Sequence, residues 1–117
     1  MKIVVGGQLG KEEIKSCLET LGISELEVII KDDMSAAMDI KSGKADYYLG
    51  ACLTGGGGAL AMAIAVLGYG KCKALTTIDS EPIKQALASG VRAFGFTPQM
   101  TNQIVPLIVS CIQGRVQ

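Results

Sequence analysis

The stretch Asp46-Tyr-Tyr-Leu-Gly-Ala-Cys-Leu-Thr-Gly-Gly-Gly-Gly-Ala-Leu-Ala-Met-Ala-Ile-Ala-Val-Leu-Gly68 decides the fold. Residues 46–51 read as a buried strand, 52–58 as a turn carrying four glycines, and 58–68 as a helix apolar on every face. A strand that ends in a glycine turn and opens a helix is suited to an anionic group. The first turn of a helix directs unpaired N–H donors and partial positive charge into the turn. Glycine lets a ligand approach the backbone and permits dihedrals closed to other residues.

The same pattern repeats on either side. Lys2-Ile-Val-Val-Gly6 is a short β-branched run, expected to be a fully buried parallel strand. Gly6-Gly7-Gln8-Leu9-Gly10 is a second glycine-rich turn. Ile14, Cys17, Leu18 and Leu21 recur at helical spacing, so Lys11 to Leu21 reads as an amphipathic helix that Gly22 stops. Residues 25–31 form a second strand. Asp32 or Asp33 caps the helix that follows, and Ser42-Gly43-Lys44 ends it. A fourth strand is expected over 73–78 and a helix from Ser80-Glu81-Pro82 to Gly90. A fifth strand covers 91–96. The last helix begins at Thr97-Pro98, with Pro106 inside its pattern, which predicts a kink or a late start.

Five strands alternating with five helices imply parallel pairing and right-handed crossovers. The expected architecture is one α/β domain over residues 1–117. It is a three-layer α/β/α sandwich on a five-stranded parallel sheet, with the flavodoxin-like order 2-1-3-4-5. In that order strands 1 and 3 are neighbours whose connections leave in opposite directions. The crevice at their C-terminal ends is where ligands bind in open α/β sheets. Both glycine-rich turns follow those two strands.

Composition narrows the function classes. The 117 residues are 49% hydrophobic and 19% charged, enough for a core. The apolar excess predicts a covered surface, and a homo-oligomer, a dimer first, is the expected form. Eleven basic and eleven acidic residues are spread along the chain without a Lys/Arg cluster, which argues against nucleic acid. Four cysteines without a C-x-x-C pair, and no histidine, argue against a zinc site, and no other metal or cofactor is expected. The N-terminus lacks a signal-peptide pattern, so the thiols are expected to be reduced and the protein cytoplasmic. Residues 47–70 are uncharged over a length that could span a bilayer, but the glycine run, Thr54 and the strand-like first part argue against a membrane segment.

The candidate site therefore joins two turns. Thr54, Gly55, Gly56, Gly57 and Gly58 can wrap a phosphate or carboxylate, with the Thr54 hydroxyl as cap or donor. The plainer alternative is that the glycines allow tight packing of the helix on the sheet. No Gly-Lys-Ser/Thr ends the run, so it is not a P-loop, and no G-x-G-x-x-G follows strand 1. Cys52 lies beside the turn, where a helix N-terminus favours the thiolate, and it is the candidate nucleophile or base. Its alternative is a small core residue, as Cys17 and Cys111 are read to be. Gly6, Gly7 and Gln8 are expected on the opposite wall, with Gln8 able to bond a ligand hydroxyl or carbonyl. Lys11 opposes the dipole of its helix and is a candidate anion partner. Asp32, Asp33, Thr76, Thr77 and Asp79 fall at strand ends on the same edge, where capping and turn chemistry account for them.

Two resemblances attach to these residues. Asp46-Tyr-Tyr-x-Gly-Ala-Cys-x-Thr-Gly-x-Gly with Ala63-Ile-Ala-Val-Leu-Gly68, together with Asp32-Asp33-Met34-x-Ala-Ala-Met38 and Ala93-Phe94-Gly95, resembles the YhfU-like bacterial family of unknown function. Cys52-x-Thr54-Gly55-x-Gly57 opening an Ala-rich helix is similar to the Cys-Gly-Thr-Gly-x-Gly loop of ribose-5-phosphate isomerase B and galactose-6-phosphate isomerases. That resemblance implies a sugar-phosphate isomerase in which Cys52 moves the proton and Thr54 to Gly58 hold the anion. The chain departs from it where Leu53 replaces a loop glycine, where Gly7-Gln8 replaces the family's Asp-His, and in having no histidine at all. The expected function is binding of a small anion, a sugar phosphate or similar. The alternatives are a non-catalytic regulatory or complex-forming module and a phosphotransfer domain with a phosphocysteine.

Overall fold

The computed structural model describes residues 1–54 and 57–114. It contains β1 (Lys2–Gly7), α1 (Lys11–Thr20), β2 (Glu27–Ile30), α2 (Asp33–Lys41), β3 (Tyr47–Ala51) and α3 (Gly57–Leu67). A 3-10 turn at Tyr69–Lys71 leads to β4 (Cys72–Ala74), then α4 (Ser80–Ala88) and β5 (Ala93–Phe96). A second 3-10 turn at Pro98–Met100 precedes α5 (Thr101–Ile112). All strand pairs are parallel, and the sheet order is β2-β1-β3-β5-β4.

The three-layer arrangement follows from strand alternation. Ile3, Val5, Leu49, Phe94 and Phe96 meet Ile14 and Leu18 of α1, Ile83 of α4, and Ile104 and Ile108 of α5. Val4, Tyr48 and Ala93 point the other way, onto Ala36 and Ala37 of α2 and Leu60 and Ala63 of α3. The sheet is thus buried on both faces, as a parallel sheet must be.

The order 2-1-3-4-5 expected from the sequence is corrected at its last two places. β5 is the inner strand and β4 the edge, for a reason of burial. Every residue of β5, Ala-Phe-Gly-Phe, is buried, and Phe94 and Phe96 are inaccessible. Each fully buried Phe is worth roughly 1.5–3 kcal/mol, which an edge seat would forfeit in part. β4 has only three residues, two of them exposed, including Lys73, and short charged strands suit a sheet edge. The chain therefore turns back from β4 to β5, and a right-handed crossover then sets α4 beside α5 on the α1 face. β4 is also shorter than the expected 73–78, since Thr76, Thr77 and Ile78 lie exposed beyond it.

The last helix starts late, at Thr101, after the 3-10 turn that Thr97-Pro98 opens. Pro106 lies within it and removes the N–H that would bond the Asn102 carbonyl. The β1–β3 adjacency, on which the expected crevice depends, is present, with Val5 beside Leu49 and Gly7 beside Ala51. No helix among the described residues is long and apolar enough to cross a membrane.

Candidate functional site

β1 and β3 deliver the two turns to one place. Gln8 N–H donates to the Ala51 carbonyl at 3.1 Å, and Leu9 forms an antiparallel bridge with Ala51. The glycines of β1 exist for packing. A Cβ on Gly7, whose φ is +87°, would sit 2.7 Å from the Ala51 nitrogen. A Cβ on Gly6 would sit 2.7 Å from the Tyr48 ring. Gly7 N–H donates to Asp33 Oδ1 at 2.7 Å, so its donor is already engaged. Gly6 and Gly7 are thus buried residues of β1 and not members of an open turn, because the close approach of Tyr48 and Ala51 leaves room only for glycine.

On β3 the period of two sends Tyr48, Gly50 and Cys52 to the α3 face. Gly50 has no side chain, and a Cβ there would lie 3.1 Å from the Tyr48 ring, so the ring lies across Gly6 and Gly50. Tyr48 Oη donates to the Ala59 carbonyl at 2.6 Å. Ala59 N–H in turn donates to Cys52 Sγ at 3.2 Å. Two side chains of one strand face thus hold both polar groups of a single residue in the first turn of α3. Burial first, then the Asp33 charge, raises the Tyr48 phenol well above its ordinary range, which keeps it a donor.

Thr54 closes the arrangement. Its Oγ1 lies 2.9 Å from Cys52 Sγ and accepts Gly58 N–H at 3.1 Å. Since the hydroxyl oxygen already accepts the Gly58 N–H, its own hydrogen can point at the sulfur. A thiolate there would receive the Thr54 hydroxyl and Ala59 N–H together, beside the positive end of α3. Gln8 reaches the same spot, with its Oε1 3.5 Å from where a Gly58 Cβ would stand. Gln8 and Thr54 are exposed, whereas Cys52 is inaccessible and lies beneath them.

The structure thus brings together Gln8, Cys52, Thr54 and Gly58. Gly57 begins α3, and Gly55 and Gly56 lie outside the described residues. Lys11 is turned aside, its Nζ donating to the Lys31 carbonyl at 3.0 Å. Asp32 is the cap of α2, accepting Ser35 N–H and Oγ–H, each at 2.8 Å, and these bonds lower its carboxyl below the usual range. Asp33 is the residue that reaches into the site, through Gly7. Cys17, Cys72 and Cys111 are raised by burial and stay thiols. Tyr48 escaped the sequence reading, although its two-residue spacing from Gly50 and Cys52 was the available signal. Among the described residues no group of His, Cys, Asp and Glu could hold a metal ion.

Fold and site together define a small α/β protein in which the segments following β1 and β3 meet at the start of α3. Comparison with known proteins narrows this to a family. The family described as "Protein of unknown function DUF2620" matches residues 1–112, and the chain belongs to it. The "Uncharacterized protein YhfU" of Escherichia coli strain K12 is 42% identical over 113 residues, covering 93% of this chain and 96% of that protein. The protein of the same description from Shigella flexneri matches to the same extent. No solved structure matches.

Proposed function

We propose that this protein binds a small anionic molecule, a sugar phosphate or similar, in the crevice between the turns after β1 and β3. One observation carries the reading: Gln8, Cys52 and Thr54, from two turns 44 and more residues apart in sequence, converge on Gly58 at the start of α3. The exposed Gln8 amide and Thr54 hydroxyl supply polar contacts at the mouth, and the first turn of α3 favours negative charge. The sugar-phosphate isomerase version gives Cys52 the proton transfer. It requires ligand entry to uncover the sulfur, and with no histidine in the chain it supplies no imidazole for ring opening. Reduced cysteines fit a cytoplasmic protein.

Thermal unfolding with ribose 5-phosphate, glucose 6-phosphate and inorganic phosphate tests the reading. A ligand at a hundred times its Kd stabilises by about 2.7 kcal/mol, which raises the melting point by several degrees. Gln8→Ala and Thr54→Ala should each reduce that rise. If none of the anions moves the melting point, the binding reading fails.

A second reading is favoured by exposed apolar side chains. Leu53 is 74% exposed, and Met34 and Met38 on α2 are 48% and 46% exposed. A complex-forming module or a homodimer would cover them. Sedimentation velocity across a concentration series distinguishes a self-associating chain from a monomer.

A further inference from the structure

A cavity of about 460 Å³ lies at the other end of the sheet, where the strands begin. Ile40 and Lys41 close α2 on one side of it and Val66 and Leu67 close α3 on the other. Ala45 and Asp46 before β3, Lys71 of the 3-10 turn, and Arg92 before β5 complete it. Its volume is that of small-molecule sites, roughly 300–1,000 Å³.

Its walls and its rim differ in chemistry. Ile40, Ala45, Val66 and Leu67 make the walls apolar. The rim carries three cations, Lys41, Lys71 and Arg92, against one carboxylate, Asp46. That carboxylate is engaged elsewhere, since Asp46 Oδ2 accepts Lys2 N–H at 2.8 Å. Among the described residues the one ion pair is Lys31–Asp39, so none of the three rim cations is neutralised by a carboxylate. In a chain of net charge zero this local excess stands out.

The helix ends account for part of it. Lys41 lies in the last turn of α2, where a cation complements the dipole. Arg92 has no such reason. Its Nη1 donates to the Asp46 carbonyl at 3.2 Å, and its guanidinium lies 5.3 Å over the Tyr47 ring. These two contacts hold the guanidinium in place while leaving most of its five N–H donors for another acceptor. A preset guanidinium beside an apolar wall matches an acid with a hydrocarbon body.

We propose that this cavity is a second binding site, separate from the β1–β3 crevice, for a small organic anion: a phosphate or carboxylate head on an apolar body. The head pairs with Arg92 and Lys71, and the body lies against Val66, Leu67 and Ile40. Because α2 and α3 run from the crevice to this cavity, each helix touches both sites.

Amide chemical-shift titration of the isotopically labelled protein with phenyl phosphate tests the proposal, with inorganic phosphate and phenol as separate arms. Saturable shifts are expected at Ala45, Val66, Leu67, Lys71 and Arg92, with both partial ligands binding more weakly. The double variant Arg92→Met, Lys71→Met keeps the apolar stems and should weaken phenyl phosphate by at least about tenfold, the loss expected for a single charge-assisted hydrogen bond, since it removes two cations. Should that variant not fold, severalfold higher ionic strength on the native chain should weaken binding to the same residues. Shifts confined to Gln8, Thr54 and Gly58, or binding indifferent to both the variant and salt, would overturn the second site. A ligand that moves only the crevice residues speaks for the first site alone, so the two readings fail separately.

Discussion

Gly58→Ala probes the site through a change of sign. Gly58 carries no positive φ, so alanine fits its backbone, and only neighbouring side chains oppose it. The new Cβ would lie 2.8 Å from Thr54 Oγ1 and 3.1 Å from Cys52 Sγ. The cheapest relief is for Thr54 to rotate away. That gives up its contacts to Gly58 N–H and Cys52 Sγ, each worth about 0.5–1.5 kcal/mol net. Alanine in a helix returns up to about 1 kcal/mol over glycine. The expected net loss is about 1 kcal/mol, or about 4 °C in Tm for a chain of this length. In a Thr54→Ala background both hydrogen bonds are already gone and the nearest obstacle is absent. There Gly58→Ala should be neutral or stabilising, giving a coupling of about 1–2 kcal/mol by urea denaturation of the four proteins. An equal effect of Gly58→Ala in both backgrounds would falsify the Thr54–Cys52–Gly58 arrangement.

Tyr48→Phe should cost about 1 kcal/mol for the lost bond to Ala59, and an unchanged urea midpoint would refute that bond. Its pH dependence has a definite sign. The folded phenol titrates above its ordinary 10.0, so its contribution is complete below that value and is lost as pH rises beyond it; Tyr48→Phe should therefore lose less stability than the native chain between neutral and strongly alkaline pH. Gly7→Ala combines a left-handed φ of +87° with a clash against the Ala51 backbone, and should cost about 2–6 kcal/mol or fail to yield folded protein. A soluble variant of native stability would contradict that close approach. Asp33→Ala removes the acceptor for Gly7 N–H and should cost about 1.5–3 kcal/mol, whereas Asp33→Asn, which keeps an acceptor oxygen, should cost less. Equal losses for the two variants would mean that the charge, not the hydrogen bond, holds the turn.

Much of the architecture is local in origin and was legible. The β-branched run at Ile3 to Val5, the helical spacing of Ile14 to Leu21, and the glycine stops are each written within a dozen residues. The β1–β3 neighbourhood was expected from the flavodoxin-like order of small doubly wound sheets rather than from any local pattern, and it is present. The exchange of β4 and β5 was less legible because it compares two strands with each other. Phe94 and Phe96 demand cover on a scale that Lys73 and Ala74 do not, and that contrast becomes a sheet order only when helices occupy both faces. In the site, Cys52 and Thr54 were visible beside a glycine run. The partners Tyr48 and Asp33 act through β3 alternation and a contact from Asp33 to Gly7 across 26 residues of sequence.

By itself, then, the sequence determined the alternation of strands and helices, the parallel sheet, and the glycine stops after α1, α2 and α4. Short-range steric and hydrophobic periodicity encode all of these. Tertiary structure alone decided that Gly6 and Gly7 make room for Tyr48 and Ala51, and that Lys11 turns away to Lys31. It also decided that the Cys52 sulfur lies sealed under Thr54 with Ala59 N–H directed at it. Those outcomes depend on distances between segments far apart in the chain, which close packing sets and no local pattern records.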